Sequence, residues 1–168
     1  LSEHPVSINF TNETVCAEDS YVFGLILGLY DDKKDSSSIS LFNISFPNVT
    51  FISKSAFELD VSISEIYFPE LERVGNDAFY NCNELKSINI ENCLSIYGGA
   101  FQGCYKLTKI YCPKTIYIGE YAFQNTSLSS VELNSVLQIE KTHTFSDCSK
   151  LTHIEMQNLT EINGYLFY

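Results

Sequence analysis

The 168-residue sequence predicts a β-dominated α/β solenoid of stacked 22-residue units, with a parallel sheet on the concave face and turns with short helical segments on the convex side. Three observations lead there. Phe57, Phe79, Phe101, Phe123, Phe145 and Phe167 recur every 22 residues, and a fixed period of this size marks stacked repeats. Between successive rings lies an apolar triplet spaced L-x-x-I-x-I. Around each ring, as in GNDAFYNCNEL and GGAFQGCYKL, Gly and Asn accumulate, which signals tight turns and at most one helical turn. A unit this short cannot close a core alone, so neighbours must stack.

Residues 1–40 stand outside this frame. They hold short apolar runs, Cys16 and the polar break DDKKDSSS at 31–38. They are expected to form an N-terminal capping region over the otherwise open end of the first repeat. The run YVFGLILGLY at 21–30 is about half the ~20 residues of a membrane helix and suits a buried strand or strand pair, so no membrane insertion is expected.

The solenoid is assigned to 41–168, about six repeats with the last incomplete. Its triplets are Leu41/Ile44/Phe46, Ile63/Ile66/Phe68, Leu85/Ile88/Ile90, Leu107/Ile110/Cys112, Leu128/Val131/Leu133 and Leu151/Ile154/Met156. Their alternation is that of a half-buried strand. Every unit runs the same way, so the strands should pair in parallel about 4.8 Å apart. Further apolar positions follow each triplet, such as Val49/Ile52, Leu71/Val74 and Cys93/Ile96. The ring column forms a ladder on the opposite wall. Ala56, Ala78, Ala100 and Ala122 precede its rings, Thr144 and Leu166 departing, while Cys82, Cys104 and Cys148 stand three residues after theirs. One residue is dropped before Leu128 and regained before Phe145, the correction a stacked register demands. The chain begins at Leu1 and ends at Phe167–Tyr168, just after a ring. It is therefore expected to be processed or cut from something longer, and the open C-terminal end is a candidate surface for self-association.

The pattern I-x-(F/I)-P-x-(L/V)-x-x-(V/I)-G-x-x-A-F-x-x-C-x-x-L, matched best by IYFPELERVGNDAFYNCNEL at 66–85, resembles the BspA-like class of leucine-rich repeats. The resemblance covers roughly three quarters of the chain. It implies a leucine-rich-repeat solenoid of a cell-surface or secreted protein, engaged in adhesion or protein–protein contact and not catalytic. It also implies that the Ala-Phe-x-x-Cys thiols are free, packed as small hydrophobes, although Cys82 and Cys104 would stack close enough for a disulfide. Cys16, Cys93 and Cys112 should be free as well.

A net charge of −11 argues against nucleic acid and anionic membranes, both of which reward Lys and Arg. Six sequons, at Asn9, Asn12, Asn43, Asn48, Asn125 and Asn158, exceed the two or three that chance would give, favour a secretory route and are glycosylation candidates. No paired C-x-x-C suggests a metal site, and no G-x-S-x-G elbow or phosphate loop suggests an enzyme. No cofactor is expected. The best acidic pair, Glu132 and Glu155, should lie about 5 Å apart on adjacent strands, a glycosidase-like separation. With His153 beside it, a weak cation site is also conceivable, but two solvated carboxylates on a wet sheet are the plainer account.

The outward sheet face is the better candidate. Alternation places Asn43, Glu65, Ser87, Lys109, Ser130 and His153 in one column. Ser45, Tyr67, Asn89, Tyr111, Glu132 and Glu155 form the next, and Pro47, Pro69, Glu91, Pro113, Asn134 and Gln157 a third. Tyr67 and Tyr111 are amphipathic anchors of the kind enriched in binding hot spots, though tyrosine is also simply a good exposed strand residue. The expected ligand-binding set is Glu65, Tyr67, Asn89, Lys109, Tyr111, Glu132, His153 and Glu155, and the expected function is recognition or adhesion toward a protein or glycan. The alternative is a structural repeat protein that assembles into a surface coat or fibre, which a concentration-dependent size measurement would distinguish.

Overall fold

The computed structural model describes residues 6–9, 14–15, 42–61, 63–140, 142–160, 162 and 164–168. Cys16, Asn12, the 21–30 run and the 31–38 break lie outside the described residues, so the expectations about them stand as they were. Among the described residues, thirteen short strands alternate between two ladders. The longer strands are β1 (Val6–Asn9), β3 (Phe42–Ser45), β5 (Glu65–Tyr67), β7 (Ser87–Asn89), β9 (Lys109–Tyr111), β11 (Ser130–Glu132) and β13 (His153–Glu155). The two-residue strands are β2 (Thr14–Val15), β4 (Phe51–Ile52), β6 (Arg73–Val74), β8 (Ser95–Ile96), β10 (Tyr117–Ile118) and β12 (Gln138–Ile139).

All pairing is parallel, as a one-directional repeat requires. Glu65 pairs Ser87 and Ser87 pairs Lys109, two steps of one repeat period. The two-residue strands form one six-stranded sheet in the order β12-β10-β8-β6-β4-β2. This second sheet is absent from the sequence-based expectation, which treated Ile52, Val74 and Ile96 only as core positions. At its N-terminal end β2 pairs β4, while β1 pairs β3 in a separate two-stranded sheet.

On the convex side the expected turns are present without the expected short helical segments. Among the described residues there is no helix. Alternate amides around each ring donate to the next unit instead of within their own: Phe57 N–H to Ala78 at 2.7 Å, Phe79 to Ala100 at 2.8 Å, Phe101 to Ala122 at 2.8 Å. Two left-handed residues bracket each ring from Phe57 to Phe145, at Ser55 and Leu59, Asp77 and Asn81, Gly99 and Gly103, Tyr121 and Asn125, His143 and Asp147. Such residues end a helical turn as soon as it starts. The segment is therefore a third hydrogen-bonded wall made of turns.

The core lies between these walls. Phe57, Phe79, Phe101, Phe123, Phe145 and Phe167 stack with ring centroids 5.0 to 5.8 Å apart and planes within 18° of parallel. Phe46 and Phe68 reach across from the long-strand side and stack on each other at 4.7 Å. Beside the ladder, the Cys82, Cys104 and Cys148 thiols donate to the carbonyls of Phe57, Phe79 and Phe123 at 2.8, 3.0 and 3.0 Å. Each cysteine thus serves as a weak donor to the preceding turn and is free, as the resemblance implied. Cys93 and Cys112 are free as well. Where Thr126 replaces cysteine its hydroxyl meets the Cys148 thiol at 3.3 Å. Where Thr144 replaces alanine its hydroxyl reaches the Gly119 carbonyl at 3.4 Å.

The dropped residue has a local consequence. The second sheet continues across it, with Tyr117 paired to Gln138 and Ile118 to Ile139. The long-strand ladder does not: β9 and β11 fall in separate sheets, as do β3 and β5, where no residue is dropped. The shortened stretch between Phe123 and Leu128 leads directly into β11, so that strand absorbs the mismatch before the chain recovers its spacing.

Candidate functional site

Strand alternation decides what the long-strand face presents. The inward residues Ile66, Ile88, Ile110 and Val131 pack on the core, which turns their neighbours outward. Register then aligns Glu65, Ser87 and Lys109 in one row and Tyr67, Asn89 and Tyr111 in the next. Beyond the break in the sheet, Ser130 pairs His153 and Glu132 pairs Glu155.

A hollow of about 740 Å³ lies over this face, lined by residues of β5, β7, β9 and β11, including Glu65, Tyr67, Asn89, Lys109, Tyr111 and Glu132. Six of the eight expected ligand-binding residues thus come together. His153 and Glu155 do not join them. His153 lines a second hollow of about 560 Å³ near Phe145 and Phe167, and Glu155 lines neither of these two hollows.

Tyr67 and Tyr111 are 49% and 55% exposed and separated by one strand. The Tyr67 hydroxyl donates to the Glu91 carboxylate at 3.1 Å. That bond, with the carboxylate's charge, raises the phenol above its ordinary pKa. Glu91 was not in the expected set. The signal was present, since it stands two residues beyond Asn89 in the adjacent column, diagonal to Tyr67. Between the tyrosines, Asn89 presents a carbonyl oxygen that is closed off from solvent and has no hydrogen-bond donor.

Of the acidic pair, Glu132 is exposed and Glu155 half-buried. Glu155 accepts from Asn134 at 3.2 Å and lies 3.2 Å from the His153 ring nitrogen. These contacts, Asn134 foremost, lower its pKa, whereas a general acid needs a carboxyl pushed up. Among the described residues no group of three or more His, Cys, Asp or Glu is placed to hold a metal ion.

Of the sequon residues, Asn48 and Asn158 are exposed, while Asn125 is half-buried and left-handed. Asn9 and Asn43 fall on β1 and β3. No helix among the described residues is long and apolar enough to cross a membrane.

Comparison with known proteins agrees with this geometry. The profile of the BspA type leucine rich repeat region matches residues 35–141 and 72–168, in six copies. A crystal structure of a leucine-rich repeat protein from Bacteroides ovatus superposes with a TM-score of 0.66 at 28% identity, covering 71% of this chain and 32% of that one. A leucine rich cell surface protein from Faecalibacterium prausnitzii shares the fold at a TM-score of 0.53 and 24% identity, covering 68% of this chain and 38% of that one. The chain thus spans about a third of the length of these structures. No curated protein matches it. With its 22-residue turns, phenylalanine ladder and profile match across most of the sequence, the chain belongs to the BspA-type leucine-rich repeat family.

Proposed function

We propose that the chain is an extracellular or cell-surface recognition module that binds a protein or glycan through its long-strand face. The observation that carries this is the hollow over β5, β7, β9 and β11, into which Tyr67, Asn89, Tyr111, Lys109, Glu65 and Glu132 converge. Aromatic rings that are amphipathic and lose little entropy on binding make good anchors. A sheet held by backbone bonds and a stacked core presents them already arranged, which reduces the ordering cost of association. The surface location is supported by the Faecalibacterium structure, described as a cell surface protein, and by the sequon excess. Non-enzymatic recognition is supported by family membership. His153 and Glu155 would sit at the margin of the contact.

The test uses two probes, a phage-displayed random peptide library and a glycan array. Binders of the 168-residue chain should lose about tenfold or more in affinity for the Y67A/Y111A variant, as truncation of hot-spot aromatics does. Binders indifferent to that variant would move the site elsewhere.

A further inference from the structure

We infer that the hollow takes a cationic segment of a partner protein, an extended stretch carrying arginine or lysine. This rests on the reading of the long-strand face as the binding face and adds the chemistry of its occupant. Two independent observations point the same way.

The first is charge. Glu65 and Glu132 line the hollow from opposite sides, and Glu91 flanks it through its bond to Tyr67. The only basic residue among those lining it is Lys109. Neither Glu65 nor Glu132 belongs to an ion pair among the described residues, where the pairs are Lys106–Glu84 and His153–Glu155. The face therefore keeps acidic charge available within a chain of net charge −11. An anionic partner would be repelled, and a basic one would be steered in.

The second is aromatic. The exposed rings of Tyr67 and Tyr111, on either side of β7, offer π faces, which attract cations. The carboxylates of Glu65 and Glu132 are acceptors only, and the N–H groups of a guanidinium or an ammonium match them. A neutral glycan could stack on those rings, but it would leave Glu65 and Glu132 without a counter-charge.

The experiment measures fluorescence anisotropy with a labelled peptide of alternating Arg and Ser, against its Glu–Ser counterpart, on the 168-residue chain. The Arg peptide should bind, and binding should weaken as salt rises. The E65Q/E132Q variant should weaken it about tenfold, from the loss of two exposed charge pairs. The E58Q/E72Q variant removes the same charge from positions outside the hollow and should leave binding unchanged. An Arg peptide that does not bind, or that responds equally to both variants, overturns the inference. If the glycan array then yields binders sensitive to Y67A/Y111A, the recognition face stands and its cationic preference falls. If neither probe responds to that variant, both fall together.

Discussion

Removing one rung of the phenylalanine ladder should reveal how the solenoid is held. Phe101 is fully buried and stacks at 5.2 Å on Phe79 and at 5.7 Å on Phe123. Truncation to alanine leaves a cavity whose walls cannot close. The flanking backbone is tied from turn to turn, Phe79 N–H to the Ala100 carbonyl at 2.8 Å and Phe101 N–H to the Ala122 carbonyl at 2.8 Å. Phe→Ala changes in cores cost about 3–5 kcal/mol, and loss of two stacked neighbours places Phe101→Ala near the upper end. Phe167 is the internal control, since it is 56% exposed and stacks only on Phe145, at 5.8 Å. Its truncation should cost about 1 kcal/mol in the 168-residue chain. Urea unfolding followed by tyrosine fluorescence, in a chain without tryptophan, reads both. A Phe101→Ala loss well below about 1 kcal/mol, or equal losses for the two variants, would refute the ladder as the main source of cohesion.

Other outcomes follow from the same packing. A Cβ on Gly119 would meet the Gly98 amide nitrogen at 2.5 Å and the Tyr97 carbonyl carbon at 2.8 Å, both rigid backbone. Gly119→Ala should therefore destabilise by about 1–3 kcal/mol in the same assay. Gly98→Ala, whose contacts begin at 3.4 Å, should be much milder, and similar losses would contradict the close approach of β8 and β10. Burial pushes the Cys93, Cys104 and Cys112 thiols up to about 12 and raises Cys82 as well. A thiol reagent at neutral pH should label these four only as fast as the chain unfolds, and immediate labelling would place them outside the core. The ordinary value is 9.0, so between pH 9 and about 12 the unfolded chain gives up protons that the folded chain keeps. Stability should then fall as pH rises, by up to about 1.4 kcal/mol per unit for each thiol. A C104A/C112A variant should show a shallower fall in urea midpoints measured across that window.

The ladder and the long strands were legible because both follow a period that one sequence can display. Phe79 and Phe101 mark the stacking distance, while Ile66 and Ile88 mark which face turns inward. The second sheet was not legible, because β6 and β8 are two residues long and two residues cannot show alternation. The absence of convex helices was half-visible. Gly99, Gly103, Asn81 and Asp77 are residues that accept a left-handed backbone, but Leu59, Ser55 and Tyr121 in the same columns carry no such signal and adopt it under the pull of the next turn's carbonyls. The face columns followed directly from alternation. The divided sheet did not, since a one-residue deletion shows that register must be corrected somewhere without showing which ladder yields. The Tyr67–Glu91 bond and the unmatched Asn89 oxygen depend on side-chain placement, which no spacing encodes.

The most direct test of the long-strand face as the binding surface is amide hydrogen exchange on the 168-residue chain, free and saturated with a peptide or glycan selected from the two probes. New protection should concentrate at 65–67, 87–89, 109–111 and 130–132, with the turns around Phe79, Phe101 and Phe123 unchanged. Protection centred on those turns or on the second sheet, with the long strands unaffected, would contradict the assignment.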